Sequence, residues 1–143
     1  MTEKLHISWE EFHHDTRELC TKIKNYGNYN KIVVVSRGGL LPSGVLAYEL
    51  NIRNTAVINI STYDGNVQRA AEDFEFAVTG VGKVDEHTLI VDDLSDTGNT
   101  YNLLRKHFPQ ACFVSVYVKH DSRNAVDIYA REMPDSWLIF PWD

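Results

Sequence analysis

Leu89 to Thr100, LIVDDLSDTGNT, is the stretch on which the reading of this chain turns. It opens as a short apolar run of the kind buried in a parallel sheet. It then carries two adjacent carboxylates, Asp92 and Asp93, off the end of that run and adds a third, Asp96, in a turn of small residues. Like charges side by side oppose each other's ionisation, and water must be displaced around them. Packing alone does not call for such a sequence. A cation or a set of hydroxyl groups at that strand end does.

Outward from this stretch the chain alternates between strand and helix patterns. His87–Asp93 is a strand, Asn99–Phe108 a helix, and Ala111–Val118 a further strand. Upstream, KIVVVS (Lys31–Ser36) is a β-branched run with polar flanks, followed by a turn, RGGLLPSG, and a helix, VLAYEL. Thr55–Ser61 reads as another strand. The first helix is announced by Ser8 and Glu11 as a capping box, with Trp9, Phe12, Leu19 and Ile23 at helical spacing. The segment from Thr62 to Glu86 shows no sustained period and mixes glycines with charges. It is expected to be a long, partly mobile loop with room for a short hairpin. Strands separated by helices imply parallel pairing with right-handed crossovers, hence an α/β fold: a mostly parallel sheet flanked by helices, with residues 1–143 as one domain.

Composition narrows the function. The 143 residues suit one sizeable core. Fourteen basic against twenty acidic side chains give a net charge of −6, which argues against a non-specific grip on nucleic acid or on an anionic membrane. No apolar run approaches the ~20 residues that span a bilayer, and the N-terminus lacks the layout of a secretory signal. A cytoplasmic protein is expected. Cys20 and Cys112 stand far apart in no metal-like spacing and are expected to be free, buried thiols.

Open parallel sheets bind ligands at the carboxyl ends of their strands. Three of the four strands end in chemically loaded turns: Ser36-Arg37-Gly38-Gly39, Asp92-Asp93, and Lys119-His120. Gly39 opens a stretch with Walker-like glycine spacing but no lysine, and no Gly-x-Gly-x-x-Gly follows a strand, so the two commonest nucleotide fingerprints are missing. SDTGNT leads hydroxyls and a glycine into a helix. Backbone N–H groups at a helix start bind phosphate, with Thr97 and Thr100 as added donors, although a plain N-cap by Asp96 or Thr97 would use the same residues. Asp92 and Asp93 favour the ligand reading, because carboxylates accept from a vicinal diol and share a magnesium ion with its substrate. A phosphate beside a diol describes a ribose 5-phosphate.

LIVDDLSDTGNT resembles the phosphoribosyl pyrophosphate (PRPP) signature of the type I phosphoribosyltransferases. VVVSRGGLLPSGVLAYELNIR, ISTYD followed by QR, and the ending DSWLIFPWD are similar in order and spacing to a bacterial branch of that family, which acts on xanthine and guanine. The resemblance covers most of Ile32–Asp143. It implies a purine salvage enzyme that moves the phosphoribosyl group from PRPP to a 6-oxopurine (guanine, xanthine or hypoxanthine), with Mg²⁺ as cofactor and a homo-oligomer, dimer or tetramer, as its assembly.

The resemblance also implies roles. Asp92 and Asp93 hold ribose and metal, Asp96-Thr97-Gly98-Asn99-Thr100 cradles the 5-phosphate, and Leu94 and Ser95 belong to the PRPP-binding residues between them. Ser36, Arg37 and Gly38 bind pyrophosphate through a non-proline cis peptide between Ser36 and Arg37, and Arg69 reaches it from the loop. Asp96 assists proton transfer at the purine, Lys119 donates to O6, Trp137 stacks on the ring from a small C-terminal hood, and the Leu138 carbonyl accepts from a 2-amino group. Asn99 stands where glycine or lysine is frequent, Leu138 where isoleucine is common, and the chain ends at PWD, short of the tail many relatives carry. Two alternatives remain beside this reading: a PRPP-sensing regulator that binds nucleic acid, for which the acidic chain lacks a basic face, and a transferase for adenine or a pyrimidine.

Overall fold

The computed structural model describes residues 3–60 and 67–143, the side chains of 67–73 excepted. Among the described residues seven strands and four helices follow one another as β1 (Lys4–His6), α1 (Trp9–Tyr26), β2 (Lys31–Ser36), α2 (Leu40–Glu49), β3 (Asn54–Asn59), α3 (Val67–Gly80), β4 (Thr88–Ser95), α4 (Asn99–His107), β5 (Cys112–Lys119), β6 (Ile128–Met133) and β7 (Trp137–Ile139), with a 3₁₀ turn at His120–Ala125. Five strands form an all-parallel sheet in the order β3-β2-β4-β5-β6. β1 and β7, the two ends of the chain, pair in parallel as a separate two-stranded sheet, Lys4 opposite Trp137 and His6 opposite Ile139.

The side-chain alternation of the strands divides the interior into two cores. Ile32, Val34, Leu89, Val91, Cys112 and Val114 face α1 and α2, where they meet Phe12, Leu19, Ile23 and Leu46. Val33, Val35, Ile90 and Phe113 face the other way, against Tyr101 and Leu104 of α4 and Phe74, Ala77 and Val78 of α3. The β-branched runs are thus buried on both faces, which is why they read as continuous apolar stretches rather than as alternating ones. The capping box opens α1 as expected: Ser8 Oγ accepts from Glu11 N at 3.1 Å, and the Glu11 carboxylate accepts from Ser8 N at 3.4 Å. Cys20 and Cys112 are free and buried.

Three expectations need correction. The stretch expected as a loop from Thr62 contains the helix α3, Val67–Gly80, whose Phe74, Ala77, Val78 and the following Val81 lie at i, i+3, i+4 and i+7 and pack on the core. Whatever of that expectation concerns residues 61–66 lies outside the described residues. The turn after β2 is shorter than RGGLLPSG: α2 starts at Leu40 and takes Pro42 into its first turn, where a missing N–H leaves no hydrogen bond unmade. Finally, the strand expected to end at Asp93 runs on to Ser95, so Asp92 and Asp93 lie inside β4 rather than at its last positions.

Candidate active site

β4 has two neighbours, and it leaves them at different places. Its pairing with β2 ends at Val34–Val91, whereas its pairing with β5 continues through Asp92–Ser115 to Ser95–Val118. A crevice therefore opens between β2 and β4 just where the acids begin. Gly39 sits in its fork: a Cβ there would stand 2.3 Å from Val91 O and 2.8 Å from Val35 O, so no side chain fits. A Cβ on Gly38 would stand 2.5 Å from Asp93 Oδ1 and 2.8 Å from Asp92 Oδ1. The backbone of the β2–α2 turn thus lies directly against the acid pair. The Ser36–Arg37 peptide is cis.

The acids are half-buried, and Asp92 Oδ1 accepts from Asp93 N at 2.8 Å. Among the described residues neither carboxylate has an ion-pair partner. Burial, and after it the charge of Asp93, raises the Asp92 carboxyl well above the usual range; burial likewise raises Asp93. Two carboxyls held in this condition create a demand for positive charge or hydroxyl donors. They also fit the donor set of a magnesium ion that arrives with a phosphorylated substrate, which takes one or two protein carboxylates and fills its other positions with water and phosphate. Among the described residues no group of three or more His, Cys, Asp or Glu side chains offers a closed metal cage.

Beyond the acids, β4 leads into α4 through Asp96–Gly98. The cap position falls on Gly98, in the left-handed region at φ 86°, and not on Asp96 or Thr97. Thr97 Oγ1 accepts from Asn99 N at 3.3 Å, while no side chain caps the helix. The start of α4 is therefore a set of amides beside exposed Asp96, Thr97, Asn99 and Thr100. Ser95 and Gly98 are buried beneath them, and Leu94 packs on the core.

The end of β5 closes the other side. Lys119, only 14% exposed at its side chain, reaches Asp96 Oδ1 at 3.5 Å and Asp135 Oδ1 at 4.0 Å, which joins the β4–α4 turn to the β6–β7 turn. Two residues past Asp135, Trp137 is 64% exposed, whereas the Leu138 side chain is buried in the core. Trp137 N donates to Glu3 O at 2.8 Å, and Ile139 O accepts from Ile7 N at 2.9 Å, so by strand alternation the Leu138 carbonyl points away from β1.

The three loaded strand ends thus converge through Gly38 on the acids and Lys119 on Asp96. Arg37 is exposed beside them and lines a cleft of about 530 Å³ with Gly38, Asp93, Phe140, Trp142 and Asp143. Arg69 lies within α3, its side chain outside the described residues. His120 is exposed and pairs with Glu132 at 3.8 Å, and His13 and His14 lie on the open face of α1. No motif in the sequence gives a role to Asp135, Phe140, Trp142 or Asp143. Asp135 carried a usable signal, a carboxylate two residues before the exposed aromatic.

An all-parallel sheet whose central strand delivers paired acids and then a glycine-capped helix defines a class. The chain belongs to the phosphoribosyltransferase family: the phosphoribosyl transferase domain matches residues 8–143. Within that family it is 42% identical over 139 residues to the xanthine-guanine phosphoribosyltransferase of Idiomarina loihiensis, covering 96% of this chain and 85% of the relative. The enzyme of the same name from Nitratidesulfovibrio vulgaris Hildenborough is 39% identical over 138 residues, 96% of this chain and 83% of its own length. Among solved structures, the purine phosphoribosyltransferase of Pyrococcus horikoshii superposes with a TM-score of 0.78 at 23% identity, over 99% of this chain and 94% of that one, a likeness of fold.

Proposed function

We propose that the protein transfers the 5-phosphoribosyl group of PRPP to a 6-oxopurine, forming the nucleoside monophosphate and pyrophosphate, and so serves purine salvage. The observation that carries this reading is the half-buried acid pair of β4, without an ion-pair partner among the described residues, set between a glycine turn on one side and a helix start with no side-chain cap on the other. Asp92 and Asp93 accept from the two ribose hydroxyls. The amides at the start of α4, with Thr97 and Thr100, take the 5-phosphate. Arg37 and the amides about Gly38 hold the pyrophosphate, with Arg69 as a further contact. Magnesium, when bound with PRPP, neutralises charge on the leaving pyrophosphate.

In the reaction a purine nitrogen displaces pyrophosphate at the anomeric carbon: one C–O bond breaks, one C–N bond forms, and the proton on the purine ring passes toward Asp96. Positive charge develops on the ribose as the bond breaks, beside two carboxylates. Arg37 meets the charge that gathers on the departing oxygen, and fixed charges of this kind are usually the largest catalytic term. Lys119 donates to O6, Trp137 stacks on the base, and the Leu138 carbonyl accepts from a 2-amino group. The β1–β7 sheet serves as the hood over the base.

The rest of the reading follows from the same class. Residues 1–143 act as one domain. A cytoplasmic location belongs to the same reading; among the described residues no helix is long and apolar enough to cross a membrane. Tyr48, 92% exposed on α2, and Val57, 54% exposed on the edge strand β3, suit a homo-oligomeric contact, which a sizing column with light scattering checks.

A spectrophotometric assay with PRPP, Mg²⁺ and each of guanine, xanthine, hypoxanthine and adenine tests the function. Turnover of one or more 6-oxopurines is expected, with adenine poorer by at least about tenfold, because Lys119 is a donor without acceptor capacity and opposes an amino group. Lys119→Gln narrows that gap, since an amide offers either polarity. No turnover with any base, together with retention of RNA on a filter, would replace the reading by that of a nucleic-acid-binding regulator.

A further inference from the structure

The two halves of the candidate site, the β4–α4 turn and the end of β5, are joined by a residue that touches no ligand position. Ser122, in the 3₁₀ turn that follows β5, is 1% exposed. Its hydroxyl donates to the carbonyl of Ser95, the last residue of β4, and to the carbonyl of Lys119, the last residue of β5, the latter at 3.0 Å. A serine hydroxyl has one proton, so the two carbonyls share it. One of them lies immediately before Asp96, and the other belongs to the lysine itself.

The turn that carries Ser122 is pressed onto the same loop. A Cβ on Gly98 would stand 3.1 Å from Ala125 Cβ and 3.6 Å from Ser122 Cα. Behind the turn, Arg105 of α4 donates from Nε and Nη2 to Ala125 O at 3.2 and 2.9 Å, pairs with Asp127 at 3.1 Å, and lies over the Phe113 ring at 4.4 Å. The turn is fixed from behind, and Ser122 is the point at which it grips both strand ends.

We propose that Ser122 is a positioning residue that sets the phosphate loop and Lys119 at a fixed spacing, and with it the purine relative to the anomeric carbon. The proposal rests on the phosphoribosyl-transfer reading. Transfer requires the purine nitrogen in line with the breaking bond, and small misplacements of reacting groups are costly in rate. Two separate ligands, one held by each loop, therefore depend on one buried hydroxyl.

Ser122→Ala removes the donor and keeps the shape. Expected is a rise in KM for both PRPP and guanine of about fivefold, of the order that one hydrogen bond contributes, and a fall in the guanine-over-adenine preference. Ser122→Thr, which keeps the hydroxyl, restores the preference. Hydrogen exchange measured without any substrate gives a second readout: in Ser122→Ala, amides of residues 95–98 and of 119–122 both exchange faster. Unchanged KM values and base preference, with only a lower thermal midpoint, would overturn the proposal. So would faster exchange confined to one of the two segments or seen in neither. If the wild type turns over no base, the functional reading fails on its own, and exchange in the two segments still decides whether Ser122 couples them.

Discussion

The two edges of the five-stranded sheet treat charge in opposite ways. At the amino-terminal edge Lys31 opens β2 with its ammonium buried, and it donates to Val81 O at 2.6 Å and to Lys83 O at 2.9 Å, the carbonyls that follow α3. Around it Asp85 accepts from His87 N at 2.8 Å, and Thr88 Oγ1 accepts from Asp85 N at 3.2 Å. Each of these polar groups has its partner inside the protein. At the carboxyl edge, two strand residues beyond Val91, paired acids stand half-buried with a single internal hydrogen bond between them and no counter-ion among the described residues. Both edges belong to the same strands. One edge satisfies its polar groups within the protein, and the other leaves two carboxyls without a counter-ion among the described residues.

That contrast is open to attack at each edge, and the largest effect belongs to the acids. Asp92→Asn combined with Asp93→Asn should lower turnover by about a thousandfold or more, as expected for removing two preorganised electrostatic contacts, while circular dichroism shows the fold intact. Activity retained in the double variant would place the diol and metal elsewhere. Next comes Arg37. Arg37→Lys keeps the charge and loses the paired hydrogen bonds to phosphate, so kcat/KM for PRPP should fall by roughly 10- to 100-fold, with a smaller loss in affinity for guanosine monophosphate. Equal losses for both ligands would assign Arg37 to support of the turn.

Lys31→Met should do the reverse. Two carbonyls lose a charged donor, a change of about 1.5–3 kcal/mol in urea unfolding, yet turnover per folded molecule should stay within about threefold. A large kinetic defect there would erase the distinction between the edges. The smallest effect is one of pH. A carboxyl whose folded pKa is raised favours folding most when protonated. Its contribution is fully present below the unfolded value of ~3.9 and is lost as pH rises through the folded value. Asp92 and Asp93 are both raised by burial. The double Asn variant should therefore melt a few degrees above the wild type at neutral pH, with the gap closing toward pH ~4. A wild type that is the more stable at neutral pH would mean the acids are satisfied within the protein.

The central strands were legible because burial on both faces leaves unbroken apolar runs; Lys31–Ser36 agrees with its strand residue for residue. α3 escaped because Phe76, 82% exposed, interrupts the apolar spacing of Phe74, Ala77, Val78 and Val81. Its helix-forming Gln68–Glu72 and terminal Gly80 were the available signals. β1 and β7 have three residues each, too few for a period, and β6 is an edge strand with exposed Arg131 and Glu132 in its middle. At the site, the acids, the glycine turn and Lys119 could be named from sequence, since each sits at a strand end. Asp135 offered only its closeness to Trp137, and Ser122 offered nothing: their place depends on how the β6–β7 turn and the 3₁₀ turn fold back onto Lys119.

The acid pair at the end of β4 is expected to await a cation-bearing sugar phosphate. Calorimetric titration of PRPP into the wild-type protein, with and without Mg²⁺, measures this without any requirement for turnover. The expected result is one saturable site per chain with Mg²⁺ present, weakened at least about tenfold, or ~1.4 kcal/mol, when Mg²⁺ is withheld and weakened at least as much by Asp92→Asn with Asp93→Asn. Binding of equal strength with and without the metal, or undiminished in the double variant, would contradict it.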